Sequence, residues 1–193
     1  ENQLTHYAFI YDNTSNPKKI IIYINGNNII EYTTNPSGTG NLQYGTVSTG
    51  KVYIGSHDNA SNNGAPFKGQ LQKMKIWNTI RTKSQILESF NNTDTYLDTI
   101  SLNGVENLLL YIPFKQTDQN FYTYNNAIQI MDSSITNHTI TNNNVKLNSS
   151  INNQSFNFNG KEDYLTISDS EDFNLGNSDF TIESSFYPKL NNY

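Results

Sequence analysis

Residues 51–90, with the sequence KVYIGSHDNASNNGAPFKGQLQKMKIWNTIRTKSQILESF, give the clearest indication of the fold. Apolar residues and β-formers occur there in short alternating runs, and turn formers such as Gly55 separate the runs. The pattern predicts one strand at residues 52–54 and a second strand that ends at Trp77. Pro66 precedes the second strand, where a proline does not interrupt the hydrogen-bond ladder of a sheet. Two strands joined by a polar loop are therefore expected.

A short helix is predicted directly after the second strand. Thr82 or Ser84 can cap its first turn, because a hydroxyl oxygen accepts a hydrogen bond from the free backbone N–H groups there. Ile86, Leu87 and Phe90 follow at a spacing that predicts one shared side of the helix.

These residues resemble the closing segment of laminin-G-like modules in the concanavalin-A-like jelly-roll superfamily. That segment has an aromatic residue, then the pattern K-G-x-[IL]-D-E-[VL]-R-[IV]-[WY]-N, then the start of a helix. The residues that fit it are Phe67, Lys68, Gly69, Leu71, Ile76, Trp77 and Asn78. Gln72 and Lys73 depart from it, since they stand where the family usually has Asp-Glu. The resemblance implies an all-β antiparallel jelly-roll sandwich with one short helix, in which Trp77 is a buried core aromatic.

The beginning of the chain resembles the middle of such a module. Alternating apolar segments predict strands at residues 4–12, 19–25 and 28–33, and Asn25-Gly26 is the strongest short signal for a hairpin. The polar segment 34–50 contains Pro36 and four glycines, and it is predicted to be a loop. Residues 1–100 are therefore predicted to be the second half of one laminin-G-like module.

The rest of the chain resembles the opening of a module. A short apolar run predicts a buried strand at residues 108–114, whereas residues 117–153 are polar and weakly patterned, with strand-like pieces only at 127–131 and Ile140. Further strands are predicted at 155–159, 164–168 and 179–187, where FNGKEDYLTI and GNSDFTIESSFYP resemble the opening strands of the family. Residues 101–193 are therefore predicted to be the first half of a following, or permuted partner, laminin-G-like module.

The closing signature thus comes first and the opening signature comes last. The order favours the end of one repeat followed by the start of the next in a tandem array. The alternative is one permuted sandwich formed by the two halves, which is geometrically reasonable because the terminal strands of a sandwich often lie side by side. A chain that begins without Met or a signal peptide is expected to be an internal piece of a longer polypeptide.

Composition excludes several classes of function. The formal net charge of −5 argues against binding to a phosphate backbone, so no nucleic-acid partner is predicted. No apolar run approaches the roughly 20 residues that span a bilayer, so no membrane insertion is predicted. The absence of cysteine excludes disulfides and cysteine-built metal sites.

Catalysis finds little support in the acidic residues. Retaining glycosidases use two carboxylates about 5 Å apart, and the paired motif E-x-D-x-x-E of this fold is missing. The densest acidic cluster is predicted to consist of solvated turn carboxylates: Asp163, Asp169, Glu171 and Asp172. Glu183, which alternates with Thr181 and Ser185, is predicted to be a solvent-facing strand residue. The chain is therefore predicted not to be an enzyme, with no catalytic and no cofactor-binding residues.

A metal site is implied only by the resemblance. Asp132, in the sequence Met-Asp-Ser-Ser, matches a loop aspartate of the family that can contribute to a structural Ca²⁺ site. The closing motif offers Gln72 in place of the second carboxylate, so the prediction is no cofactor, or a weak structural Ca²⁺. His6, His57 and His138 show no ligand spacing and are predicted to be surface or strand histidines.

The resemblance implies a non-enzymatic recognition or adhesion module of a repeated extracellular or virion-surface protein. Its predicted partners are a glycan or a surface protein, together with neighbouring repeats of the same polypeptide. Tyr122 and Tyr124 lie in a polar stretch and could stack on a sugar, although ordinary surface tyrosines would give the same pattern. Two alternatives stay open: a structural spacer of a surface filament, fibre or appendage, and an accessory domain of a secreted glycosidase or toxin.

Overall fold

The computed structural model describes residues 4–33, 51–56, 66–91, 105–113, 123–124, 127–128, 130–148, 155–176 and 178–189. Within these ranges the strands are β1 Thr5–Asp12, β2 Lys19–Ile24, β3 Asn27–Thr33, β4 Lys51–Ile54, β5 Lys68–Trp77, β6 Leu108–Ile112, β7 Thr123–Tyr124, β8 Ala127–Ile128, β9 Ile130–Met131, β10 Thr139–Asn143, β11 Lys146–Asn148, β12 Ser155–Asn159, β13 Tyr164–Ser168 and β14 Phe180–Pro188. Helix α1 spans Lys83–Asn91, and 3₁₀ turns lie at Val105–Asn107 and Glu171–Phe173.

The strands form one large and one small antiparallel sheet. The large sheet has eight strands in the order β11-β12-β5-β14-β1-β2-β3, with β6 paired to one end of β5. The small sheet has the order β4-β13-β10-β9, and β7 pairs with β8 separately. The predicted all-β antiparallel sandwich with one short helix is confirmed.

Strands from the two predicted halves pair with each other in both sheets. β14 lies between β1 and β5, so Ile182 faces Phe9 on one side and Ile76 on the other. In the small sheet β4 of the first predicted half pairs with β13 of the second. The two parts of the chain therefore share both sheets. The assignment of residues 1–100 and 101–193 to halves of laminin-G-like modules stays a prediction.

The main core lies between the two sheets, and the alternation of the strands builds it. On β1 the side chains of Phe9 and Tyr11 belong to this core. Both pack with Phe180 of β14, the neighbouring strand of the large sheet. The small sheet contributes buried residues such as Ile54 and Leu165. We call this side of the large sheet the inner face and the opposite side the outer face.

Helix α1 covers part of the outer face. Its first turn has a reciprocal cap: Thr82 Oγ1 accepts from Gln85 N at 3.4 Å, and Gln85 Oε1 accepts from Thr82 N at 2.8 Å. Ile86 is fully buried against β1 and β2. Leu87 and Phe90, by contrast, are 40% and 39% exposed, and both lie next to Gly26 of the β2–β3 turn. Successive residues of a helix are 100° apart, so only a few residues of a nine-residue helix face the sheet. In α1 the buried ones are Ile86 and Ser89.

Trp77 is completely buried, as predicted. Its position differs from the prediction, because it packs with Leu108 and Tyr111 in a cluster of its own rather than in the core between the sheets. Trp77 pairs with Thr181 at the end of β5, and the bulge between Ile76 and Trp77 shifts the register with β6 there.

Two glycine positions explain local backbone shape. The hairpin predicted at Asn25-Gly26 is confirmed, with φ of 50° and 75° at the two residues, the left-handed values that a tight β-turn needs. Gly69 has φ of 149°, and a Cβ there would lie 2.2 Å from the carbonyl oxygen of Tyr187 on β14. The glycine of the closing motif therefore permits close strand packing.

The polar stretch before residue 155 contains more strand than its pattern predicts. A tight turn joins β10 of the small sheet to β11 of the large sheet, and it includes Asn144 with φ of 63°. Asn142 stabilises this turn, since its side chain accepts from Val145 N at 2.9 Å and donates to Val145 O at 3.1 Å. One asparagine adopts the left-handed conformation of the turn and another makes its hydrogen bonds. A search for alternating apolar residues does not detect either signal. The loop predicted at residues 34–50 lies outside the described residues.

Candidate functional site

Asp132 lies in the turn between β9 and β10 and is almost completely buried. One carboxylate oxygen accepts from the backbone N–H groups of Tyr111 and Ser134, both at 2.9 Å. The other accepts from Ser134 Oγ at 2.8 Å and from His138 N at 3.0 Å, and His138 Nδ1 lies 2.8 Å away. The carboxylate thus ties the turn to β6.

His138 lies between two carboxylates. Its Nδ1 faces Asp132 and its Nε2 is 3.0 Å from Asp172 Oδ2, which also accepts from Ser170 Oγ. The imidazole packs against Phe173, with ring centroids 4.6 Å apart. We call Asp132, His138 and Asp172 the turn cluster. It joins the β9–β10 turn to the 3₁₀ turn Glu171–Phe173.

The hydrogen bonds that Asp132 accepts limit how well its oxygens can bind a cation. A Ca²⁺ ion needs six to eight oxygen ligands, and each oxygen of Asp132 already accepts at least two protein hydrogen bonds. In the described part of the chain no group of three acidic or histidine side chains has a geometry that could hold a metal ion. The Ca²⁺ prediction itself stays untested.

Glu183 of β14 is buried on the outer face, at 1% exposure, so the prediction of a solvent-facing residue is wrong. His6 Nε2 lies 3.4 Å from one of its oxygens and Arg81 Nε lies 3.6 Å from the other. Lys75, on β5, adds a nearby positive charge. We call Glu183, His6, Arg81 and Lys75 the outer-face network.

Arg81 is held in this network by three kinds of contact. Its guanidinium lies over the Trp77 ring at 4.0 Å, and its backbone N–H donates to Thr181 Oγ1 at 3.1 Å. The same hydroxyl donates to Thr79 O at 2.8 Å, which fixes the segment between β5 and α1. Stacking and charge pairing together compensate for burying a guanidinium.

Opposing effects act on the ionisation of Glu183. Burial raises its pKa, but the proximity of His6, Lys75 and Arg81 outweighs burial, so the pKa lies below its usual range. Neither oxygen has a well-aligned hydrogen-bond donor among the described residues. The distances of 3.4 and 3.6 Å are those of ion pairs, so charge attraction is the main stabilising effect.

The acidic cluster predicted to be solvated is divided by the structure. Asp169 and Glu171 are exposed, as predicted. Asp163 is buried, and its Oδ2 accepts from Asn159 N at 2.8 Å in the β12–β13 turn, so the prediction is wrong there. Burial raises the pKa of Asp163. Asp172 belongs to the turn cluster.

An apolar groove lies on the inner face of the large sheet. Its volume is about 270 Å³, and its lining residues are Tyr7, Ala8, Phe9, Ile22, Ile182, Ser184 and Phe186. The rings of Tyr7 and Phe186 are stacked, with centroids 4.2 Å apart and an interplanar angle of 16°. The groove arises where three neighbouring strands, β2, β1 and β14, present apolar residues at matching register positions.

Some of the other residues singled out from the sequence lie outside the described part of the chain. His57 and Tyr122 lie outside the described residues, and so does the side chain of Tyr124. The sequence did not point to Arg81 or to the groove. Alternation on β1 and β14 was visible, but which strands are neighbours was not. Among the described helices, none is long and apolar enough to cross a membrane.

The fold defines a concanavalin-A-like antiparallel sandwich, and comparison with family models agrees. Residues 1–87 match the laminin-G model of the concanavalin A-like lectin/glucanases superfamily. The family resemblance inferred from the sequence motifs is confirmed over these residues. Comparisons with curated proteins and with solved structures give no match. The family indicates a carbohydrate- or protein-binding module.

Proposed function

We propose that this chain is a non-catalytic recognition module that binds a protein partner by seating apolar side chains in the inner-face groove. The observation that carries the proposal is the lining of the groove. Apart from the Ser184 hydroxyl and the Tyr7 phenol, the side chains facing it offer no hydrogen-bonding groups. Burial of apolar surface is therefore the main source of affinity available there.

The positions of the carboxylates support a non-catalytic role. Glu183 is buried on the outer face next to Arg81 of the segment before α1, so it lies on the side of the sheet opposite the groove. Asp132 and Asp163 are buried and hydrogen-bonded within turns. Neither gives the exposed pair, about 5 Å apart, that a retaining glycosidase uses.

A glycan is the second candidate ligand, and the stacked pair of Tyr7 and Phe186 favours it. Aromatic faces receive the apolar faces of sugar rings, but specific sugar binding also needs several polar groups around the ring. The groove supplies few of these, and so a protein partner is the better fit. An extracellular or virion-surface location, in a protein that contains neighbouring repeats, belongs to the same proposal. A structural spacer or an accessory domain of a secreted glycosidase or toxin would need no ligand in the groove.

The test compares two libraries and two variants. The chain is screened against a glycan array and against a displayed peptide library, and hits are measured again with Tyr7→Ala and with Tyr53→Ala. Tyr53 is the matched control, since it belongs to an aromatic pair with Tyr164 in the small sheet, away from the groove.

Peptide hits rich in apolar residues that are lost in Tyr7→Ala but kept in Tyr53→Ala support the proposal. Glycan hits that are lost in Tyr7→Ala but kept in Tyr53→Ala would show that the ligand of the groove is a sugar and not a protein. No hits in either library, or hits that ignore Tyr7→Ala, would overturn recognition at the groove and favour the spacer.

A further inference from the structure

Strand β3 forms one edge of the large sheet. Among the described residues it pairs with β2 alone, so one row of backbone N–H and C=O groups has no strand partner there. Such a row is a template for pairing with another strand, and proteins usually protect it with charges, proline or a very short strand.

The two edges of the large sheet differ in this protection. At the far edge, β11 has only three residues and carries an exposed lysine, Lys146. β3 has seven residues without lysine or proline, and its one charged residue, Glu31, is paired with Lys19 on β2 at 2.8 Å. The β3 edge therefore lacks the usual protection against pairing.

Exposed apolar side chains concentrate around the same edge. In the described part of the chain six large apolar side chains are exposed: Ile30, Tyr32, Leu87, Phe90, Met131 and Ile135. Ile30 and Tyr32, at 50% and 60% exposure, follow the groove on the inner face, since Ile30 pairs with Ile22. Leu87 and Phe90 flank the edge on the outer face, where α1 packs next to the β2–β3 turn.

We propose that β3 docks against β3 of a second copy of this chain, antiparallel and about a two-fold axis normal to the sheet. An unprotected strand edge recognises an extended strand, because only a strand presents N–H and C=O groups at the same spacing. β3 itself has the required form, with apolar residues at alternate positions and Glu31 between them. In a register centred on Ile30, Glu31 faces the uncharged position 29, so no like charges meet.

This arrangement is isologous: the same surface serves both copies, and it closes at the dimer. The two inner faces lie on one side of a continuous sheet, so both grooves point the same way. If the groove binds a ligand, as proposed above, the dimer binds a repeated ligand with avidity. The test of the dimer is independent of the ligand.

The first experiment measures the mass of the chain in solution by sedimentation velocity over a concentration series. We expect a monomer–dimer equilibrium that shifts to monomer in the double variant Ile30→Lys with Tyr32→Lys. Ile135→Lys is the matched control, because Ile135 is 66% exposed in the turn that follows β9. A monomer at every soluble concentration, or a dimer that the double variant leaves unchanged, would overturn the proposal.

The second experiment uses the absence of cysteine from the chain. Ile30→Cys places one thiol at the two-fold axis, and Ile135→Cys places one away from β3. Under mild oxidation we expect disulfide-linked dimers from Ile30→Cys and a monomer from Ile135→Cys. Equal cross-linking of both variants, or of neither, counts against β3, and the result does not depend on the lysine variants folding.

Discussion

Two buried carboxylates, Asp132 and Glu183, are stabilised in different ways. Asp132 accepts hydrogen bonds from three backbone N–H groups and one hydroxyl. Glu183 has no aligned donor among the described residues and is held by the charges of His6, Lys75 and Arg81. The conformation of one turn positions most of the backbone donors around Asp132. The cationic side chains around Glu183 belong to elements that are distant in sequence.

Asp132 therefore organises local structure, whereas Glu183 depends on tertiary structure. Four of the groups around Asp132 belong to the short segment between β9 and β10, so local sequence specifies most of the turn cluster. The outer-face network joins β1, β5, β14 and the segment before α1. Changes in the network should therefore weaken the whole sandwich, and changes in the turn cluster should act more locally.

The largest effect is expected from Trp77→Ala. The substitution removes a fully buried ring and the surface on which Arg81 lies. We expect a loss of about 3–5 kcal/mol in the free energy of unfolding, as for other buried aromatics. Denaturant unfolding measures it, with Trp77→Phe as the milder control. A loss under about 1 kcal/mol would contradict the burial of Trp77, since only exposed positions are usually that tolerant.

Glu183→Gln tests the charge attraction of the network while keeping the shape of the side chain. The variant leaves the cations of the network without their counter-charge, and we expect a loss of about 3 kcal/mol at neutral pH. Asp169→Asn, at an exposed position, is the control and should change stability by no more than about 0.5 kcal/mol. Equal effects of the two substitutions would show that the outer-face network contributes no net stability.

The same network predicts a pH dependence. Because the pKa of Glu183 is lowered in the folded state, its contribution is fully present above the pKa of the unfolded chain, about 4.3. The contribution is lost as the pH falls through the lower folded value. Acid titration of unfolding should therefore show a steeper loss of stability below about pH 4 in the unsubstituted chain than in Glu183→Gln. Parallel curves would refute this assignment.

Asp132→Asn should have a smaller effect. The amide oxygen can still accept from Tyr111 N and Ser134 N, but the amide N–H₂ would face the donors of Ser134 Oγ and His138 N. One or two unsatisfied groups cost about 2 kcal/mol. Hydrogen exchange should show faster opening of the β9–β10 turn with little change in β1 and β14. Uniformly faster exchange would mean that the turn cluster supports the whole fold.

The two carboxylates also illustrate which features the sequence alone can predict: local turns and caps, but not contacts between distant strands. Asn25-Gly26, the Thr82 cap and the alternation of FTIESSFY are local signals, and each predicted its element correctly. Glu183 could not be placed, because its partners His6 and Arg81 are far away in sequence and become neighbours only when β14 enters between β1 and β5. The groove was missed for the same reason.

The smallest effect is expected from Ca²⁺, which tests whether Asp132 is a ligand or only a hydrogen-bond acceptor. An ion at Asp132 would have to displace donors such as His138 N, and Gln72 removes the second charge that the family normally supplies. Because affinity falls with the number of charged ligands, dissociation at about 10⁻⁴ to 10⁻³ M is the tightest binding we expect. A ligand at 100 times its dissociation constant stabilises by about 2.7 kcal/mol, so a tight site would raise the melting temperature at micromolar Ca²⁺. Melts with and without chelator should coincide at that concentration. A rise of several degrees that Asp132→Asn abolishes would show that a cation can replace the protein donors, and the two buried carboxylates would then both be held by positive charge.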